Sequence, residues 1–477
     1  MKRIFQQISL LFTILATLTS CLGDNTEEVV FYDDAAIINV SLGTLNNRQN
    51  TKTADGRDSV AVSKIEGSKY HFTIDQMKRE IYNVDSLPYG TDITKVVTIL
   101  TAKNSGSIVI KSMTSDSVKY HVQTDSVDFS QPRTFFVYSN SGKNHAEYTM
   151  KVNVHKQLAN QFDWQRTAVG NTFATLTSIR AFEMNGKMYV VGSNGESSSI
   201  FSCDLNDCQV WTAEQPDINM LMPVDMTTSM ASDGKRLFIT AEGHLLSTAD
   251  GSHWTDNGQT SIARLIGSDG TRLYAIDSEG KIISSANNGQ TWQTDPLDDS
   301  IELLPTREIN IVAQPLLTNS DMQRVVMLGN RDVRNYPDDA YAVVWSRLFD
   351  DSNNTVYPWM YYSQSPTARY QAPRLRSMTM LPYNNRLIAI GAQPLGACTT
   401  AAFSAIYESI DGGLTWKNSE HLTLPSDFVT VANTFCAAVD SNNFVWLINA
   451  ETGEIWRARL TQLGWDNPQT EFRTRKK

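Results

Sequence analysis

The sequence predicts an all-β protein in two parts, a β-sandwich over residues 31–157 and a six-bladed β-propeller over residues 160–467. Three observations predict it. Short runs near the start alternate apolar and polar residues with period two. A tight turn followed by an apolar strand then recurs six times, and a tryptophan recurs six times in step with it. No long amphipathic helical pattern competes with these signals.

At 477 residues the chain exceeds one ordinary core, so two domains are expected. It opens with Lys2 and Arg3, then an apolar run from Ile8 to Leu18. That run is too short for a membrane span and reads as a signal peptide over residues 1–20. Leu18-Thr19-Ser20-Cys21 resembles the lipobox of bacterial lipoproteins, which implies lipidation at Cys21; the alternative is a plain secretory signal. Several acyl chains there exceed the two signals that stable anchoring needs. Residues 21–30 read as a tether whose acidic residues, Asp24 to Glu28, loosely resemble those after the lipidated cysteine of surface-exposed Bacteroidota lipoproteins. A solvated linker explains them equally.

Removing the leader takes two of 41 basic residues and none of 51 acidic ones, so the mature chain carries −12. That charge argues against nucleic acid and anionic membrane as partners, leaving the N-terminal lipid as the membrane contact. Cys203, Cys208, Cys398 and Cys436 remain, too few for a disulfide scaffold.

The first domain alternates through residues 70–74, 96–100, 107–110 and 134–138, and closes with Tyr148, Met150, Val152 and Val154 at strict intervals. It resembles the immunoglobulin- or cadherin-like modules that stand between anchor and working domain in surface lipoproteins. The Asp-Ser-apolar tripeptides at Ser59, Ser86, Ser117 and Ser126 resemble the O-glycan acceptor of exported Bacteroidota proteins; strand starts are the equal alternative.

In the second domain the tight turns begin at Asn185, Asp233, Asp269, Asp321, Asn384 and Asn442. The outer-strand tryptophans are Trp164, Trp211, Trp254, Trp292, Trp359 and Trp416. Trp164 precedes every turn, so the strand around it is expected to complete the last blade and remove an open edge. Gly464-Trp465 is the rival for that place. A tail over residues 468–477 follows.

Ser409-Ile410-Asp411-Gly412-Gly413-Leu414-Thr415-Trp416 is a hairpin tip in which Asp411 can accept from turn amides, a glycine can take positive φ and Trp416 can pack sideways. It resembles the Asp-box, or BNR repeat, S-x-D-x-G-x-T-W. The structural set is Ser409, Asp411, Gly413, Thr415 and Trp416. A second copy carries Ser285, Asn287, Gly289, Thr291 and Trp292. A third, from Ser247, has alanine at the acid position and Asp250 one place on. In the first blade Cys203 and Cys208 face each other across the corresponding hairpin, and a disulfide is expected there; two free thiols are the alternative.

In a four-stranded blade the first and third turns lie on one face and the second turn and crossover on the other. The long insertions fall mostly in the second set: residues 330–337, 363–373 and 392–398. Loops converging on one rim suit recognition, and arginine with tyrosine suits sugars and carboxylates. The candidate ligand-binding residues are therefore Arg331, Arg334, Tyr336, Arg369, Tyr370, Arg374 and Gln393. The acidic stretch at residues 350–354 falls on the opposite face and reads as a solvated loop.

No residue is assigned a catalytic role, and no metal or cofactor is expected. Sialidases, the best-known Asp-box enzymes, carry an Arg-Ile-Pro segment that is missing here, and no nucleophile elbow or metal-spaced histidine pattern occurs. The whole mature chain resembles Bacteroidota surface lipoproteins with an immunoglobulin-like front and an Asp-box propeller. That resemblance implies an outer-membrane lipoprotein, on the cell surface or periplasmic face, that binds glycan or envelope protein. A glycoside hydrolase of another type and an assembly factor for a membrane complex are the alternatives.

Overall fold

The computed structural model describes residues 30–316, 318–350, 355–363, 370–428 and 434–463. The leader, Cys21, the acidic tether, Arg369, residues 351–354, Gly464, Trp465 and the tail lie outside the described residues. The chain divides into two compact units, Met1–Gln157 and Leu158–Lys477. Among the described residues no α-helix occurs, only short 3-10 turns.

In the first unit, Ile37–Leu42 pairs antiparallel with Val96–Ala102, which also pairs with Ser126–Val127. A second sheet runs Phe72–Asp75, Glu80–Asn83, His145–Lys151, Arg133–Tyr138, Ser107–Lys111, Val118–Tyr120, with one parallel contact between Glu80–Asn83 and His145–Lys151. The period-two reading holds in detail. Phe135, Val137, Tyr148 and Met150 are each 0% exposed, while Tyr138, Glu147 and Thr149 face out. They meet Ile37, Leu42, Val96 and Leu100 in one core. Each such side chain contributes about 1.5–3 kcal/mol by leaving water. The closing run is shorter than expected: the strand stops at Lys151, and Val154 makes only an isolated parallel bridge to Leu87.

In the second unit, six antiparallel sheets follow one another among the described residues. The first is Ser178–Met184, Lys187–Ser193, Ser198–Asp204, Asp207–Glu214. The second is Met230–Ser232, Leu237–Ala241, His244–Thr248, Trp254–Gln259. The third is Arg264–Ser268, Leu273–Ile276, Ile282–Ser285, Gln293–Thr294. The fourth is Arg307–Leu316, Asn319–Asn330, Val343–Asp350, Thr355–Val356, with Met360–Tyr361 beside Val343–Asp350. The fifth is Thr379–Tyr383, Arg386–Ile390, Tyr407–Ser409, Lys417–Asn418. The sixth is Phe435–Val439, Val445–Asn449, Glu454–Ala458, completed by Gln165–Ala168 from the start of the unit, paired antiparallel to Glu454–Ala458.

Second strands are apolar without alternation, as in Leu387-Ile388-Ala389-Ile390 and Val445-Trp446-Leu447-Ile448, all 0% exposed. A strand covered on both faces has no side to leave polar. The six tryptophans lie in or next to fourth-strand positions. Trp254 opens one, Trp211 lies within one, and Trp164, Trp292 and Trp416 immediately precede one. Trp359 is held at 0% exposure just before Met360–Tyr361.

Trp359 belongs to a buried polar network between the third and fourth sheets. Arg347 and Asp295 pair at 2.6 Å, with side chains 0% and 4% exposed. Asp295 also accepts from Trp359 Nε1 at 3.0 Å and Ser284 Oγ at 2.7 Å, while Arg347 Nη2 donates to Tyr274 Oη at 3.0 Å.

The turns show how short polar side chains replace backbone partners. Asp411 accepts from Thr415 N at 2.9 Å and Thr415 Oγ1 at 2.6 Å; Gly413 N donates to Ser409 Oγ at 2.8 Å, and Trp416 Nε1 to Gly413 O at 2.9 Å. The Ser285–Trp292 turn repeats this with Asn287 accepting from Thr291 N at 2.9 Å, and its amide donating to Thr291 Oγ1. In the third copy the expected alignment is off by one residue. Thr248, not Ser247, receives Gly251 N (2.9 Å), and Asp250 accepts from Ser252 N and His253 N. The acid is therefore in its place, two residues after the hydroxyl.

Two further expectations are corrected. The fourth tight turn is not at Asp321: Leu316 pairs with Asn319, and Asp321 lies inside the following strand. The Cys203–Cys208 staple is not formed. Both are buried free thiols, with Cys208 Sγ donating to Asp204 O at 3.1 Å. That hairpin tip closes on the Asp204–Asp207 pair with an irregularity behind it between Ser202 and Asp204, and the two thiols lie within hydrogen-bond reach of each other without being joined.

Candidate functional site

The fourth and fifth sheets carry the long loops, and those loops are laced into one block. Asn330 ends a strand, and residues 331–342 follow. Arg374 is 0% exposed; its guanidinium donates to Tyr336 O (2.6 Å), Asp339 O (3.0 Å) and Arg331 O (2.6 Å). Gly396, at φ +58°, lies against it from the fifth-sheet loop, where a Cβ would meet Arg374 Nη1 at 2.6 Å. Leu395 N donates to Arg374 O, and Arg376 N to Gln393 O. Arg374 thus ties the carbonyls of this loop together and is enclosed away from solvent, which corrects its assignment to ligand contact.

Arg331 forms a two-pronged pair with Asp339 at 2.9 and 2.7 Å and stacks over Tyr336 at 3.8 Å. Arg334 grips Asp332 through Nε (3.1 Å) and Nη2 (2.8 Å), yet its side chain is 77% exposed. Asp332 is held well below the ordinary carboxylate range, first by Arg334 and also by Arg307. Tyr370 stands apart: it is exposed, with Lys417 Nζ 4.7 Å from its ring centre. Gln393 borders a separate cavity of about 530 Å³ beside Phe403, Asn418 and Phe428. The structure brings Arg331, Arg334, Tyr336 and Arg374 together and leaves Tyr370 at the fifth sheet's outer strand.

Sequence reasoning missed the larger feature next to them. A cavity of about 630 Å³ is lined by the first strands of all six sheets. Arg180, Arg264 and Arg307 enter it from the first, third and fourth sheets. Arg180 Nη2 reaches Ile309 O at 3.4 Å and Arg264 Nη1 reaches Thr306 O at 3.1 Å. Burial pulls both guanidinium pKa values down, and Arg264 beside Arg180, then Arg307 beside Arg264, push the same way. Both remain charged at neutral pH. Arg307 Nη2 also lies 3.3 Å from Asp332, linking the cavity to the rim loop.

Glu308 is the other notable wall group. It sits at φ +44°, within an irregularity between Arg307 and Asn310, and Ser377, which also lines the cavity, has φ +51°. Left-handed backbone at two non-glycine residues is costly and persists only where surroundings enforce it. Asn330 does so here, donating Nδ2 to Glu308 Oε2 (3.1 Å) and to Leu375 O (2.8 Å). Burial raises the Glu308 carboxyl pKa, against the hydrogen bonds from Asn330 and Ser377. Asp225, also in the wall, accepts from Thr227 N, Thr227 Oγ1 and Ser178 Oγ. Among the described residues no group of three His, Cys, Asp or Glu side chains is arranged to hold a metal ion.

A sequence signal for this cavity did exist. Arg180 and Arg264 each stand five residues before a tight turn, at Asn185 and Asp269, one position repeated in two sheets. Glu308 carried no such signal.

No curated protein sequence matches the chain. Among solved structures it is similar to an auxiliary nutrient binding protein from Bacteroides thetaiotaomicron, with 10% identity, 76% of this chain and 93% of that chain covered, and TM-score 0.39. It is also similar to an alpha-L-arabinofuranosidase from Fusarium graminearum, with 10% identity, 62% and 97% coverage, and TM-score 0.36. A carbohydrate-active enzyme of Trichoderma reesei shows 12% identity, 64% and 98% coverage, and TM-score 0.34. Residues 40–152 match the DUF6242 N-terminal domain and residues 158–468 the DUF6242 beta propeller domain. With both parts matched in order, the chain belongs to the DUF6242 family, an N-terminal domain followed by a β-propeller.

Proposed function

We propose that this protein is a lipid-anchored cell-envelope protein that binds glycan through the loop-bearing rim of a six-bladed Asp-box propeller, without catalysing a reaction. In this reading the six sheets are the blades, the Ser409–Trp416 and Ser285–Trp292 turns are Asp-boxes, and the first unit is an immunoglobulin-like spacer above Cys21. The supporting observation is the bridge from Arg334 through Asp332 to Arg307. It joins an exposed arginine on a braced loop to the edge of a cavity able to hold a small ligand. The experiment is a glycan array with the purified mature protein, followed by calorimetry on hits with Arg334→Ala. Weaker binding with an unchanged melting curve supports the reading; unchanged affinity removes the rim from it.

A second reading, glycoside hydrolysis, is favoured by one observation. Glu308, whose pKa burial raises, shares the cavity wall with Asp225, and such enzymes need one protonated and one ionised carboxyl. Hydrolysis of any array hit that Glu308→Gln abolishes would establish it.

A further inference from the structure

We propose that the 630 Å³ cavity is a binding site for a carboxylate-bearing sugar, with Arg180 and Arg264 as its anion-recognising residues. This rests on the glycan reading above and names the ligand's chemistry.

The first argument is charge. Three guanidiniums enter one cavity from three different sheets, and among the described residues neither Arg180 nor Arg264 has a carboxylate within ion-pair distance. The nearest polar contact that either makes is to a backbone carbonyl. Their mutual repulsion is therefore incompletely answered by the protein, and a bound anion would relieve it. The groups of opposite sign answer it only at a distance. Asp225 favours the charged form of Arg180 and Glu308 that of Arg264, but Asp225 is occupied by Thr227 and Ser178, and Glu308 is held by Asn330 and lies beside Arg376 and Arg307. Cys436, also in the wall, is a buried thiol whose pKa burial raises, so it stays neutral. The wall carries three arginines against two carboxylates inside a chain of formal charge −10, so the attraction for an anion is concentrated there.

The second argument is the rest of the wall. The lining combines hydroxyl residues Thr228, Ser232 and Thr379 with apolar Phe182 and Ile266. Thr228 Oγ1 donates to Asp225 O and Ser232 Oγ accepts from Gly234 N, which leaves the first able to accept and the second able to donate. A sugar ring offers hydroxyls at its edge and C–H groups on its faces, and matches such a wall. A fatty acid needs none of the hydroxyls, and an inorganic anion needs far less than 630 Å³. A forked guanidinium pair fits a carboxylate.

The test is calorimetry of the mature protein with galacturonate and glucuronate oligosaccharides, their neutral galactose and glucose counterparts, and sodium acetate and sulfate. The expected result is binding of an acidic sugar about tenfold or more tighter than its neutral counterpart, lost about tenfold or more in Arg264→Gln and Arg180→Gln, as one charged hydrogen bond predicts. Near-UV dichroism reports whether each variant is folded, and Arg264→Lys, which keeps charge but loses the fork, should show an intermediate loss. Equal affinity for acidic and neutral sugars would overturn this inference and leave glycan binding standing. Acetate or sulfate binding as tightly as the uronate would overturn it in favour of a simple anion hole. No saccharide bound in either class would overturn both.

Discussion

Replacing Arg347 by methionine should destabilise the second unit by about 3 kcal/mol. The basis is the pair with Asp295 at 2.6 Å, whose side chains are 0% and 4% exposed. Removing one partner of a buried pair typically costs about 3–5 kcal/mol, because the other charge is left uncompensated. Asp295 keeps donors from Trp359 and Ser284, so the lower end applies. Arg347 also lies 5.0 Å from the Tyr274 ring centre and 5.1 Å from that of Trp359; methionine retains apolar contact there but not the cation. For a unit of roughly 300 residues the unfolding entropy is about 0.6 kcal/mol/K, so the midpoint should fall by about 5 °C. Scanning calorimetry of Arg347→Met, Asp295→Asn and the double variant measures this directly. The double variant should recover at least half the loss, since neither charge is then stranded. A single variant within about 1 °C of the parent, or a double variant equal to the sum of the singles, would refute the reasoning.

Arg331→Ala and Arg334→Ala should separate stability from binding. Arg331 is tied to Asp339 and stacked on Tyr336, so its loss should lower the melting midpoint. Arg334 is largely exposed, so its loss should leave the midpoint within about 1 °C. Burial pulls the Asp411 carboxyl upward, but hydrogen bonds from Thr415 and Ser409 outweigh it and hold the pKa below 3.8. Its stabilisation is present above the unfolded value and fades as pH falls through the folded one. Asp411→Ala should therefore cost about 1–3 kcal/mol at neutral pH and weaken acid sensitivity in a pH series of denaturation curves. Glu308 has the opposite sign: with its pKa above 4.5, its contribution is full below the unfolded value and declines as pH rises through the folded one. Glu308→Gln should flatten the fall in melting midpoint as pH rises above 4.5.

The repeat was legible because it is written in residues with one dominant local use. Asp233, Asp269 and Asp440 each accept turn amides. Trp254 and Trp416 each donate to the glycine three residues earlier. Such contacts span a handful of positions, so spacing reveals them. The turn at Asp321 failed because the fourth sheet's first two strands are 10 and 12 residues long, which carries their turn away from the usual place. The rim was half legible. Insertions marked loops that the structure ties together, but composition could not tell Arg374, enclosed and bonded to three carbonyls, from Arg334 in water. The cavity was harder still, since Arg180 and Arg307 are more than a hundred residues apart and converge only when the sheets are set side by side.

The pairing of Gln165–Ala168 with Glu454–Ala458 has a consequence for how the chain is made. Gln165 must wait for Arg457, about 290 residues later, and closing so long a span costs about 4 kcal/mol more than closing a hairpin of about four residues. Until Glu454–Ala458 emerges, the early strand has no neighbour of its own, and five sheets stand with the sixth unfinished. A chain interrupted near residue 450 would lose the third strand of that sheet and strand the fourth. Synthesis must therefore run past Ala458 before this unit can lock, and shortening it by one strand should be felt far more than its length suggests.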